Sequence, residues 1–586
     1  MKYTHLLLPA LLVISSIANA TPVRTLLFGG TIYSGDAATP HPEAVGIEGD
    51  KIIAVGSFEE VSRQLGDGAE RVDLKGRYLM PGLIDTHAHA AFAGFQSMTV
   101  NLPVGLTQAS QIRKFITQNH DDPRLMQGDV LLLSNVSLDY WSELSLLDNV
   151  FNAAPYDKVP VVLAGSDAHT GWVNNAMLKR AAGSLKSHSN LGGSMSRDGH
   201  QKLNGFVSEG DWDFILQNIP PVSDATIASA IELAAAQLNQ VGITAWMDPI
   251  SNIRPLAPIF SAHPDRRSEG LLPAYTKLAK DGKLNGHVSA LALVGIDSQP
   301  SIIDDVLAIQ KKFNGAQDLD VKVVGIKILQ DGVIEFPSQT AKLSQDYLNR
   351  PGYRGKENLT VDRFNELVRR ADANNLIVHF HAIGDRAVDE ALDAIAYARQ
   401  KNDNSGVLHS ITHLEIVSPN SIARFKPLGV AASMQLLWAR KDASSTFLIE
   451  GKVPASLLLN LYPAGSLLKH GVVLAGASDW PVSSPNPFLA MYTALTRQGE
   501  LGELPPASER VTRKAILQAY TLNAARVIGR ESKIGSLSVA KSADMVLLDR
   551  NIEMVSVDQL KETQVIWTMF KGRRVFEAPL SVIEIK

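Results

Sequence analysis

The chain has 586 residues, 45% hydrophobic and 20% charged, a globular balance that excludes disordered, collagen-like and coiled-coil classes. Lysine and arginine number 56 against 60 aspartates and glutamates, a formal net charge of −4, so no basic excess marks nucleic acid as a partner. Cysteine is absent, which removes disulfides, thiolate metal sites and a cysteine nucleophile.

Residues 1–20 read as a signal peptide. Lys2 precedes an apolar run from Leu6 to Ile17, and Ala18-Asn19-Ala20 gives a small-x-small cleavage site. The run falls short of the roughly 20 residues that span a bilayer. Export to a bacterial periplasm is the expected address, where a cysteine-free chain folds without disulfides. No later run has spanning length, so no membrane span is expected once the signal is cleaved.

Residues 21–80 alternate short strand-like runs with turns, at Val23–Phe28, Ala44–Ile47, Ile52–Val55 and Arg71–Leu74. Residues 531–586 have the same character, at Met545–Leu548, Val565–Phe570 and Arg574–Phe576. The two ends predict one composite β-sandwich around residues 81–530. That middle alternates strand and helix signals, the pattern of parallel βα units. Its predicted strands are Leu79–Asp85, Gly242–Met247, Ser289–Val294, Val323–Leu329, Leu376–His381, Ser410–Ile416, Gly429–Met434 and Val472–Ala477. Amphipathic stretches at Val361–Asn374, Arg386–Arg399 and Pro419–Lys426 read as intervening helices. The expected fold class is therefore α/β, a (β/α)8 TIM barrel. The interval from about 95 to 240 is too long for one crossover and predicts an insertion over the barrel mouth, with its own strand at Val159–Leu163.

Four histidines fall at predicted strand ends. His87 and His89 are spaced i, i+2, which turns both imidazoles to one face of a strand. His381 ends the fifth strand, His413 lies on the sixth, and Asp479 follows the eighth. Barrel chemistry takes place at the C-terminal strand ends, so these side chains are expected to converge on a metal. Lys327 sits among apolar residues on the fourth strand, where a charged ammonium is costly to bury.

In combination, Pro81-Gly82-Leu83-Ile84-Asp85-Thr86-His87-Ala88-His89, Lys327 with Asp331-Gly332, His381-Ala382-Ile383-Gly384-Asp385-Arg386-Ala387, Ser478-Asp479-Trp480-Pro481 and Ala543-Asp544 resemble the amidohydrolase superfamily. Within it they resemble the amidohydrolase-3 branch that includes N-substituted formamide deformylases. The resemblance runs from about residue 23 to 577. It implies that His87 and His89 bind one divalent metal, zinc by preference, and that His381 and His413 bind a second. It implies that Lys327 becomes an N6-carboxylysine bridging the two ions. Asp479 is then both a metal ligand and the general base and acid of a metal-activated hydroxide attack on a C–N bond, amide or N-acyl. A small-molecule substrate and a homodimer belong to the same expectation.

His169 and Trp172, in Asp167-Ala168-His169-Thr170-Gly171-Trp172, and Gln435, just past the seventh strand, are candidate substrate contacts. His379 reads as a packed or supporting histidine. The chain departs from the family pattern at Leu408, Ser410 and Thr412, where relatives often carry two arginines and a glutamate. Leu436 and Gly465 replace a proline and an arginine. These changes predict a less charged substrate. A cyclic amide, ester or lactone hydrolase would use the same residues, and a non-catalytic periplasmic binding or regulatory protein could share the barrel.

Overall fold

The structure is a computed structural model that describes residues 23–185, 194–197, 203–260, 269–295, 298–315, 320–357, 360–403 and 406–579. The expected signal segment, residues 1–20, lies outside them. Eight parallel strands form the central sheet: β1 (Leu83–Asp85), β2 (Ile243–Asp248), β3 (His287–Val294), β4 (Val321–Leu329), β5 (Ile377–Ala382), β6 (His409–His413), β7 (Val430–Met434) and β8 (Leu474–Gly476). Each strand pairs with its successor in the chain, as expected of consecutive βα units. Between β1 and β8 the contact is a short seam just past the strands. The Thr86 amide donates to Gly476 O at 3.0 Å, and Ala88 bridges Trp480. The barrel is thus nearly closed.

The first predicted strand divides in two. Tyr78–Pro81 belongs to a terminal sheet, and only Leu83–Asp85 enters the barrel. The break falls at Gly82, where a Cβ would lie 2.2 Å from Thr244 Oγ1, so the close approach of β2 requires glycine.

Barrel strands are buried on both faces, which explains their nearly continuous apolar sequences. One face meets the barrel interior and the other meets helices. The helix Val361–Ala373 buries Phe364, Leu367, Val368 and Ala371, a stripe with helical spacing. The next, Asp385–Asn402, buries Val388, Ala391, Leu392, Ile395 and Ala398. The helix Asp224–Gln240 starts where the Ser223 hydroxyl accepts from the Thr226 amide at 3.1 Å.

Two further sheets involve the ends of the chain. Four strands between Arg24 and Asp73 form one. The other joins Thr31–Ile32 and Tyr78–Pro81 to Met545–Leu548, Val565–Phe570 and Arg573–Glu577. Leu27 and Val45 of the first share a core cluster with Leu79, Met545 and Trp567 of the second. Between β1 and β2 the chain builds a separate seven-stranded sheet, from Val100–Asn101 to Leu203–Ser208, with its own core around Leu133, Leu163 and Trp172. No helix among the described residues is long and apolar enough to cross a membrane.

Candidate metal centre

The first and last barrel strands bring three donors together. His87 and His89 follow β1, and Asp479 follows β8. Asp479 Oδ1 lies 3.1 Å from His87 Nε2 and 3.2 Å from His89 Nε2. One donor atom from each of the three lies within 4.8 Å of the others. The backbone seam holds them there: the Asp479 amide donates to His87 O at 2.8 Å, and the His89 amide donates to Trp480 O at 2.8 Å. Asp479 sits at φ 58° and His413 at φ 73°, left-handed conformations that cost energy in non-glycine residues and mark sites held by their surroundings.

His381 and His413 complete a ring of imidazoles. Their ring centroids are 4.3 Å apart, and that of His413 lies 5.2 Å from that of His87. Hydrogen-bond partners fix which nitrogen of each ring carries the proton. Gly332 O lies 3.0 Å from His381 Nε2, and a carbonyl can only accept, so His381 keeps its lone pair on Nδ1. Gln435 Nε2 donates to Thr412 Oγ1 at 3.2 Å, which turns Gln435 Oε1 toward His413 Nδ1 at 3.1 Å. His413 therefore keeps its lone pair on Nε2.

Burial sets the charge states. It pushes His87 and His413 well below the ordinary imidazole pKa, with Lys327 and His381 respectively adding to the effect. His381 is pushed down to about 3 by burial and then by Lys327. These rings are neutral and carry free lone pairs, the form that ligates metal. Lys327 is 2% exposed, and burial lowers it to about 7 against the opposing pull of Asp479. Burial alone would raise the Asp479 carboxyl. The His89 hydrogen bond, the facing imidazoles of His413 and His89, and Lys327 outweigh it, and the group stays below the usual carboxylate range.

A cavity of about 370 Å³ opens above these residues, with Asp479, His381 and His413 among its lining. Leu138, Trp141, Asp167 and His169 line it from the insertion. The indole of Trp438 stacks on His413, with planes 3° apart and centroids 5.6 Å apart. His169 is thus placed where a substrate contact was expected. Its Nδ1 faces Glu209 Oε1 at 3.4 Å, and Glu209 also accepts from Thr340 Oγ1 at 2.9 Å.

Two expected substrate contacts do not line this cavity. Trp172 is 0% exposed, packs at a tilt against Phe151 in the insertion core and donates from Nε1 to Asn204 O at 2.9 Å. It does not line the cavity but packs with Leu133 and Leu163 in the core of the insertion. Gln435 is 1% exposed and also absent from the lining; it holds His413 instead.

The sequence reading passed over Asp85 and Glu209. Asp85 Oδ1 accepts from the amides of His87 and Ser478, each at 3.0 Å, and Oδ2 accepts from Ser478 Oγ at 2.5 Å. Burial nonetheless raises its pKa to about 7. A signal existed for Asp85, an acid ending an otherwise apolar strand. Glu209 carries none, since its partner His169 is distant in sequence.

Residues 70–576 match the family described as Amidohydrolase family. The Arabidopsis thaliana protein named LONG AFTER FAR-RED 3 is 28% identical over 535 residues, covering 90% of this chain and 87% of that protein. The N-substituted formamide deformylase of Arthrobacter pascens is 24% identical over 565 residues, covering 94% of this chain and 98% of its own length. Among solved structures, an uncharacterized metal-dependent hydrolase from Pyrococcus horikoshii superposes with a TM-score of 0.70 at 23% identity, covering 91% of this chain and 99% of that one.

Proposed function

This chain belongs to the amidohydrolase family and is a metal-dependent hydrolytic enzyme, and from that premise we propose that it cleaves a C–N bond in an amide or N-acyl compound. The products are a carboxylic acid and an amine. The observation that carries this reading is the approach of Asp479 Oδ1 to His87 Nε2 and His89 Nε2 at the end of a cavity large enough for a small molecule.

The donor set suits a divalent metal. Imidazole nitrogens and a carboxylate oxygen favour zinc or a similar ion, and no thiolate competes. His87, His89 and Asp479 would hold one ion, with His381 and His413 presenting lone pairs for a second. A buried Lys327 near pH 7 has a neutral amine fraction that can add CO₂, and the resulting carbamate would be an anionic oxygen donor. A bound ion of this kind supplies the charge that acidifies a water and polarises a carbonyl.

The chain's own groups do the rest. Asp479 Oδ1 faces the imidazoles, which leaves Oδ2 to take a proton from the attacking water. The same oxygen returns that proton to the leaving nitrogen as the C–N bond breaks. His169, held by Glu209, lines the cavity and orients the substrate. We read the two terminal sheets as layers of one composite sandwich, supported by their shared core.

Metal analysis and amine release from a panel of N-acyl compounds, N-substituted formamides included, test the proposal. The purified protein should carry a divalent metal, and chelation should stop amine release until metal is restored. Asp479→Asn should lower kcat by about 10²–10⁴-fold while circular dichroism stays native. Cleavage of esters or lactones without cleavage of any amide would overturn the C–N assignment.

A further inference from the structure

His379 lies two residues before His381 on β5, is 0% exposed, and has no part in the chemistry above. Strand register sets it between Lys327 of β4 and Ser410 of β6. Its Nε2 is 2.7 Å from His87 Nδ1, and its Nδ1 is 2.6 Å from Ser410 Oγ. Three buried groups, one just past β1 and two on β5 and β6, thus form one chain of hydrogen bonds that ends on a residue of the metal centre.

A hydrogen bond between two neutral imidazoles needs one ring to donate and the other to accept, so the chain has two proton patterns. In the first, His87 Nδ1–H donates to His379 Nε2 and His379 Nδ1–H donates to Ser410 Oγ. In the second, Ser410 donates to His379 Nδ1 and His379 Nε2–H donates to His87 Nδ1. His87 then carries its proton on Nε2 and points it at Asp479 Oδ1. Only the first pattern leaves a lone pair on His87 Nε2. Each ring holds one proton in both patterns, so the two differ by tautomer and hydroxyl rotation, not by net charge.

We propose that His379, backed by Ser410, is a positioning residue that supplies the acceptor for His87 Nδ1–H and so stabilises the His87 tautomer whose Nε2 lone pair is free for metal. The relay acts on His87 alone, because His89 Nδ1 is buried without a hydrogen-bond partner. A ligand ring whose far nitrogen is held in this way loses less freedom on binding and is more basic at the near nitrogen. The inference rests on the proposed metal-dependent chemistry.

The test is zinc affinity of the metal-free protein, read by competition with a chromophoric chelator. His379→Phe keeps the ring's bulk and removes its acceptor, and it should weaken zinc binding by about 10–100-fold. His379→Gln restores an acceptor and should recover most of the loss. Ser410→Ala should weaken binding in the same direction by less. The melting temperature of the metal-free protein should not follow this order. Unchanged affinity in both His379→Phe and Ser410→Ala overturns the relay, as does a Gln variant no better than Phe. If His379→Phe does not fold, Ser410→Ala decides alone. Failure of the wild-type protein to take up zinc or any other divalent ion would instead remove the proposed function.

Discussion

Ser478 and Asp85 are 393 residues apart in sequence, yet the Ser478 hydroxyl donates to Asp85 Oδ2 at 2.5 Å. The Ser478 amide donates to Oδ1 of the same carboxylate at 3.0 Å, and so does the amide of His87. One buried side chain therefore sets the distance between the segment after β1 and the segment after β8. His87, two residues past Asp85, and Asp479, the residue after Ser478, inherit their separation from it.

Asp85→Ala should then damage the site more than the fold. Loss of these hydrogen bonds should cost about 1–3 kcal/mol of stability for each of the three buried donors left without an acceptor. Hydrolytic activity should fall by well over the corresponding fraction of protein unfolded. Melting temperature and kcat measured on the same preparation check this. A variant with reduced stability and full kcat would contradict the clamp.

Trp172→Ala separates packing from substrate contact. The indole fills the core of the insertion and does not reach the cavity. Truncation should destabilise the protein by about 3–5 kcal/mol. KM for any substrate turned over by the surviving folded fraction should stay near the wild-type value. A raised KM with unchanged stability would restore Trp172 to the substrate site.

His287 gives a pH dependence remote from the metal centre. Its Nε2 lies 2.8 Å from Asp544 Oδ2 and its Nδ1 3.0 Å from Asp320 Oδ1, where β3 begins and the C-terminal sheet packs beneath it. Burial disfavours the imidazolium, but Asp544 and Asp320 outweigh that cost and raise the pKa above the ordinary value. A raised folded-state pKa contributes stability that is fully present below the unfolded value of about 6.5. That contribution is lost as pH rises through the folded-state pKa. Thermal melts from pH 5.5 to 9 should show the wild-type protein losing stability over this window. His287→Gln, which retains hydrogen bonding without the charge, should be flatter. Parallel curves for the two proteins would sink the assignment.

Asp139, Asp167, Glu335, Glu415 and Asp442 line the cavity, and the Arg440 guanidinium there is paired with Asp442 at 3.1 Å. The surplus of acids narrows the expected less charged substrate to a neutral or cationic one. Burial holds the Glu335 and Glu415 carboxyls above the usual range, with Glu335 adding to the rise at Glu415. Both are neutral at low pH and gain charge as pH rises. Discrimination against an anionic N-acyl compound relative to its neutral analogue should therefore grow with pH. Glu335→Gln should reduce it by roughly tenfold in kcat/KM, a modest share of a like-charge interaction at close range. An anionic substrate preferred throughout the pH range would rule out this reading.

Much of the barrel is legible in the sequence because it is written in local periodicity. Short apolar runs alternating with amphipathic helices place eight strands within a few residues of their observed bounds, and strand ends carry His87, His89, His381, His413 and Asp479. Order along the chain becomes order around the barrel, so residues at those ends converge. The division at Gly82 was hidden, because it depends on how closely Thr244 of another strand approaches.

The departures from the family pattern show the same limit. Ser410 supports His379, and Thr412 orients Gln435 toward His413. Gly465 lies where a Cβ would meet Ser508 O at 2.4 Å. Read along the chain, these are only lost charges. The sequence by itself determined which side chains stand at the mouth of the barrel, since two-residue alternation and chain order suffice for that. Tertiary structure alone decided which nitrogen of His87, His381 and His413 faces the centre. That choice is made by single hydrogen bonds to groups on other strands and loops, and no spacing along the chain encodes them.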